Sequence, residues 1–430
     1  MERTQPEGTQ GTTQEPEGQK FRLVAQTEAE EQAYNYVQYR NTPKPSGLVG
    51  SVAHIVKGAL GAGILSGHVA YKKAGVFVAI PMNICFGIYM GYCLYLLVKS
   101  AQVLYRRTRV PTMTYPDVGE AACACHSNPK IVKFAKHFRH LIDTMICMDL
   151  FGSCASYQII IAKSIKQLVE NTEHTSMEGI KVFCIGVAIA YAFQNNPKFE
   201  GMTPYTSLYS FLQFVGMNVF SMSCVSVVVP IENNMKDPTK FGLAITVGMG
   251  LVILSTFSVS FFGYAAFLEN SESPITVNFA LNTLGKVVKG SIIVMIYITH
   301  GLNFWVPFMT VFHYIKKRHD PNKEFMWEMI YRTIFVIAIA IIAIIFPTIN
   351  ALIGFLGAFC ISSLGFIFPP IIYFLVIWDR PGLGRFKWRL YFGSILIIVG
   401  VFFSVCGSTV NIIELVSIAI NPTRRVSLEF

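Results

Sequence analysis

Charge is scarce in this chain. Of 430 residues only 14% are Asp, Glu, Lys or Arg, against about 25% in soluble domains. Acidic residues are the rarer sign: 25 Asp and Glu face 35 Lys and Arg, for a net charge of +10. No basic run is dense enough, or interleaved with aromatics, to make a surface for RNA or DNA, so no nucleic acid partner is expected. A disulfide framework is lacking too. Eight of the ten cysteines (Cys85, Cys93, Cys147, Cys154, Cys184, Cys224, Cys360 and Cys406) lie in apolar stretches, where a thiol behaves as a small hydrophobe. Cys123 and Cys125 adjoin His126, but without a second ligand pair they do not amount to a metal site, and no cofactor is expected. There is no N-x-[ST] acceptor with a permitted middle residue, and no apolar h-region near Met1. Intramembrane hydrolysis would want one Asp in each of two facing spans. Here Asp143 and Asp149 share one apolar stretch, six residues apart, so no enzyme is expected.

What the chain has is hydrophobic length: 53% of it is apolar. About 20 apolar residues suffice for a helix to cross a bilayer. Such segments occur near 47–70, 76–98, 141–165, 205–231, 241–268, 290–313, 329–348, 350–377 and 391–413. A tenth, 179–194, is about 16 residues long and holds Lys181, so spanning would need a thinned bilayer. The fold class expected is an all-α, multi-pass membrane bundle of about nine or ten helices. Residues 1–46 are polar and read as a disordered cytosolic tail, 47–415 as the membrane domain, and 416–430 as a short C-terminal tail. Three loops are basic: Arg106 to Arg139, Lys316 to Lys323 and Arg380 to Arg389. The positive-inside rule wants all three in the cytosol. That holds only if 179–194 does not cross.

The stretch Gly47 to Gly67, GLVGSVAHIVKGALGAGILSG, departs from an ordinary span. It holds His54, Lys57, Gly58 and the run Gly61-Ala62-Gly63. Ionisable groups inside a span usually face a protein interior or a water-filled cavity. Glycines cost a helix about 1 kcal/mol each and let the backbone unwind. A helix broken beside a protonatable group is what a carrier needs at its midplane; a small-residue packing face is the other reading. His54 is the proton-coupling candidate, since an imidazole changes charge near neutral pH. Lys57, three residues on, shares its face. Asp143 and Asp149 are secondary candidates. In the span ending at Pro230, Ser221, Ser223 and Ser226 either line a polar path with Gly216 and Asn218 or bond their own helix carbonyls.

These residues resemble the amino acid/auxin permease family, and its proton-coupled amino acid transporters in particular. HIVKGALGAGIL (His54 to Leu65) is similar to that family's broken first helix. PIENNMKDP (Pro230 to Pro238) resembles the loop after its sixth, and HGLNFWVP (His300 to Pro307) a motif of its eighth. GAFCISSLGFIFPP (Gly357 to Pro370) and GSTVNIIELV (Gly407 to Val416) resemble its last two helices. The resemblance covers about 45–415. It implies an inverted repeat of eleven helices, with the solute between unwound parts of the first and sixth. It implies amino acid and protons as the partners, beside membrane lipid, and a plasma or lysosomal membrane as the site. One helix of that scaffold has no counterpart here, and Ser223-Cys224 stands where members often carry Glu-Gly. The expected function is therefore proton-coupled transport of small neutral amino acids by alternating access. A transport-impaired amino acid sensor, or an incomplete isoform, is the alternative. The expected solute-binding residues are Gly58, Gly61, Ala62, Gly63, Ser221, Ser223 and Asn303.

Overall fold

The computed structural model describes residues 21–25, 27–40, 42–170, 201–279, 283–346 and 348–420. The expected segment 179–194, the first 20 residues of the tail and the last ten of the chain lie outside them. Among the described residues there is no strand, and the helices carry the fold. They are α1 (Glu28–Ala33), α2 (Leu48–Ala59), α3 (Gly67–Ala74), α4 (Val76–Thr108), α5 (Tyr115–Ala124), α6 (Pro129–Glu170) and α7 (Leu208–Ser221). After them come α8 (Val225–Asn233), α9 (Phe241–Phe267), α10 (Thr283–Lys316), α11 (Glu324–Ile345), α12 (Ile349–Leu356), α13 (Phe368–Ile377) and α14 (Trp388–Ile420). Among the described residues eight helical stretches are long and apolar enough to cross a membrane, with α7–α8 and α12–α13 each counting as one. Leu48–Ala59 and Gly63–Ala74, bent by 49°, make a ninth. The chain is thus an all-α, multi-pass membrane protein with a broken first span.

Local chemistry sets the ends of these helices. Gly75, at φ 83°, turns α3 directly into α4; that left-handed value suits glycine, and a Cβ there would lie 2.6 Å from the Pro204 carbonyl oxygen. Thr114 and Asp117 cap α5 reciprocally, the Asp117 carboxylate accepting from the Thr114 N–H at 3.0 Å. Between α12 and α13 the helix widens into π turns at Gly357–Ile361 and Ser363–Ile367. In a π register the Leu364 carbonyl looks toward residue 369, a proline with no N–H. The Tyr115 hydroxyl donates to that carbonyl instead, at 2.6 Å.

Span α12–α13 is mostly buried and runs through the centre of the bundle, whereas α11 lies at its rim, with only Ile339 buried. Side-chain bonds define the two ends. At one end Arg107 donates to the Val376 and Arg380 carbonyls, Ser127 to Asp379, and Gln102 to the Pro238 carbonyl. His140 stacks edge-on to Tyr314 there, so the loop after α10 belongs to the same end. All three basic loops therefore lie together, at the end the positive-inside rule assigns to the cytosol. At the far end Gln167 donates to the Val277 carbonyl, and Thr203 bonds Tyr264 and the Val76 N–H. The described residues flanking 171–200 thus sit at the same far end.

The described tail residues, 21–25, 27–40 and 42–46, depart from the expected disorder. Phe21, Ala25, Tyr36 and Arg40 are buried against the basic end. The Val24 and Ala25 N–H groups donate to the Arg107 carbonyl, and Glu31 pairs with Arg107 at 3.0 Å and Arg380 at 3.3 Å. Polar composition reads as disorder because it supplies little apolar area to bury; here buried ion pairs and tyrosines fasten the segment instead. At the other terminus α14 continues to Ile420, four residues beyond the expected start of the C-terminal tail at 416.

Candidate solute-binding site

The first span loses its helical ladder at Leu60 (ψ 75°), and Gly61 is extended at φ −98°, ψ −153°. The chain resumes as a tight turn over Ala62–Ser66 before α3. A helix start leaves its first N–H groups without intrahelical partners, so the peptide donors near Ala62 and Gly63 are the ones this break frees. A second interruption separates α7 from α8. The Met222 and Ser223 N–H groups reach only back to Val219 and Phe220, at 3.3 and 3.4 Å, and Cys224 is non-helical.

The two breaks meet. A Cβ on Gly63 would lie 2.7 Å from Ser221 Cα, so the approach is of backbone to backbone. Beside them opens a cavity of about 660 Å³, within the size range of small-molecule sites. α2 lines it with His54, Lys57 and Gly58, followed by Gly61 and Gly63. Across from these stand Asp149, Ser153 and Tyr157 of α6, Ser223 at the second break, and Thr299 and Asn303 of α10.

Of the residues singled out in the sequence, His54, Lys57, Gly58, Gly61, Gly63, Asp149, Ser223, Ser226 and Asn303 line this cavity. Gly58 also packs closely, since a Cβ there would fall 2.6 Å from Val227 Cγ2. Asn303 donates from Nδ2 to the Tyr157 hydroxyl at 3.0 Å, and that hydroxyl lies 3.5 Å from where a Gly61 Cβ would be. Tyr157, absent from the sequence candidates, thereby joins the first-span break to α10. Ser221 is placed elsewhere. It is buried, outside the cavity wall, and its Oγ donates to the Asn218 carbonyl at 2.8 Å. That is local back-bonding, the other use of a helical serine. Gly216 meets α12 rather than a polar path, a Cβ there falling 2.0 Å from the Gly354 carbonyl oxygen.

Sequence reading also missed Lys44 and Ser46, which complete the cavity wall at the basic end. Ser46 pairs with the chain after α8: its N–H donates to the Asn234 carbonyl at 2.8 Å, and the Lys236 N–H donates back at 3.0 Å. Arg40 sits just behind, bonded to Glu232 at 3.0 Å. Nothing in a polar tail signals such partners. The electrostatics of the cavity follow: Lys44, His54 and Lys57 bring cationic or protonatable groups, and Asp149 brings a carboxyl.

The family model described as transmembrane amino acid transporter protein matches the chain over 44–199 and 182–414. A proton-coupled amino acid transporter-like protein of Drosophila melanogaster, pathetic, is 29% identical over 415 residues, covering 88% of this chain and 87% of that protein. The amino acid transporter AVT3C of Arabidopsis thaliana is 21% identical over 428 residues, 88% of this chain and 93% of its own length.

Proposed function

The chain belongs to the transmembrane amino acid transporter family, and from that premise we propose that it carries small neutral amino acids across a membrane together with protons, by alternating access. The observation that carries this reading is the pair of facing helix breaks over one cavity. The solute carboxylate accepts from peptide N–H groups at Gly61, Ala62 and Gly63, where the helix start also favours an anion. Its ammonium meets peptide carbonyls freed at the second break and the Ser223 hydroxyl. Asn303, held by Tyr157, adds a polar contact from α10. A cationic side chain would meet Lys44 and Lys57 in the same space, and like charges in a site select against it. The name of the Drosophila relative also speaks for proton coupling.

His54 is exposed on the cavity wall at the basic end, and we assign it to proton exchange with solution. The test is uptake of labelled alanine, proline and glycine into vesicles at an outside pH of about 5.5 and about 7.5, a range an imidazole senses. Wild type should run several-fold faster at the acid value, and His54→Ala should bring the ratio to about one. A normal pH response in His54→Ala would remove that residue from coupling. Tight binding with no flux would favour the sensor instead.

A further inference from the structure

Asp149 has no role in the cycle outlined above, on which the following rests. Its side chain lines the cavity, yet only 9% of the residue is exposed. Oδ1 has no hydrogen-bond partner among the described residues. An ionised carboxylate so placed loses water without gaining donors, and binding a proton removes the charge.

Depth fixes what it can serve. Tyr157 marks the level of the first-span break, because its hydroxyl approaches Gly61. Asp149 lies eight residues earlier on α6, toward the basic end, and Gly152, one turn along from it, packs on Leu356. His54 lies seven residues before Gly61, about 10 Å in the same direction. Asp149 and His54 therefore border one cavity, both on the basic-end side of the break. A hard metal cation takes about six or more oxygens, and the wall near Asp149 offers its carboxyl and the Ser153 hydroxyl. A proton needs one oxygen.

The charged and titratable surroundings are few. Lys44, His54 and Lys57 share the cavity from the tail and α2. Cys360, in the π turn after α12, lies near enough to feel the Asp149 charge. On α10, His300 meets Gln158, two turns further along α6. On α11, Arg332 is paired with Glu328 over Trp305 and Phe308. Toward the basic end Arg139 is taken by Asp117 and Glu120 of α5 and by Asp143.

We propose that Asp149 is the residue that holds the coupled proton while the solute crosses. One proton arrives from the far side with the amino acid and adds to the carboxylate, giving a neutral acid. The closed cavity then moves without an ionised carboxylate on its α6 wall. When the basic end opens and water returns, the same proton leaves, with His54 on the α2 wall placed to take it. No other bond forms or breaks.

The experiment compares wild type, Asp149→Asn and Asp149→Glu in vesicles, at an outside pH of about 5.5 and about 7.5, with a pH dye inside. Asp149→Asn should lose the acid stimulation, its uptake ratio falling to about one, and should lose the dye signal that accompanies uptake. Asp149→Glu should keep a ratio above one. Stimulation retained in Asp149→Asn overturns the assignment and leaves proton coupling standing. A wild type indifferent to the gradient overturns proton coupling, and this assignment with it. A measurement on wild type alone covers a variant that fails to fold. Dicyclohexylcarbodiimide, which reacts with protonated carboxyls, should modify Asp149 several-fold faster at about pH 5.5 than at about pH 8, read by peptide mass. A rate that does not change over that range also overturns it.

Discussion

Gly63→Ala is expected to abolish uptake, while Gly61→Ala is expected to leave the protein assembled. The difference lies in what each new methyl meets. At Gly63 a Cβ falls 2.7 Å from Ser221 Cα, 2.8 Å from Phe220 Cδ1 and 3.0 Å from Ser221 N. Two of these atoms are backbone and cannot turn aside. Overpacking of a well-filled site costs about 1–3 kcal/mol, occasionally more, and relief here means parting the two breaks that frame the cavity. Each 1.4 kcal/mol or so is a factor of about ten in the assembled population. A Cβ on Gly61 instead lies 3.5 Å from the Tyr157 hydroxyl, an ordinary contact, and the backbone angles there are open to alanine. The comparison is made on purified protein, by thermal unfolding and labelled-solute uptake side by side. Wild-type uptake in Gly63→Ala would mean that the breaks do not touch as described.

Arg40→Ala should destabilise the protein by about 3–5 kcal/mol, the usual cost of stripping one partner from a buried ion pair. The Arg40 guanidinium meets Glu232 Oε2 at 3.0 Å, the Glu232 carbonyl at 3.0 Å and the Pro111 carbonyl at 2.9 Å. Tyr36 and Tyr105 lie against it, with ring centres 4.7 and 5.1 Å away. Without it the wholly buried Glu232 keeps Gln102 and Tyr105 as donors but no counter-charge. Replacing both partners is a different matter: Arg40→Met with Glu232→Gln should recover most of the loss, since no charge is left stranded. The measurement is the unfolding midpoint in detergent, with protease sensitivity of residues 21–46 as a second readout. A single variant as stable as wild type would show that the pair contributes nothing, and equal losses in single and double variants would point to packing alone.

The spans were legible because lipid leaves a plain hydropathy signature. The break at Gly61 was legible because glycines in a membrane helix have few uses. The clustering of the basic loops followed from charge asymmetry alone. Arg40 and Glu232 were not legible as a pair: 192 residues separate them, and a lone arginine in a polar tail carries no periodicity. Lys44 and Ser46 escaped for the same reason. Ser221 and Ser223 show a finer limit. Two residues on a helix point about 200° apart, so a choice between cavity and neighbouring carbonyl had to be made for each. The sequence does not say where α7 stops, and the break after Ser221 decides it. Asp149 was visible as an acid in a span, but its unpartnered oxygen depends on the packing of α2, α6 and α12.

The rim position of α11 ties the carrier to the thickness of its membrane. Its 22 residues measure about 33 Å, close to the 30 Å or so of hydrocarbon. With lipid on most of its surface, it tilts when the leaflets thin. It grips α10 through Arg332 over Trp305 and Phe308, and α6 through Phe335, stacked on Phe151 with ring centres 5.2 Å apart. Phe151 belongs to α6, the helix that also carries Asp149, Ser153 and Tyr157, so lipid chain length acts on a helix that walls the cavity.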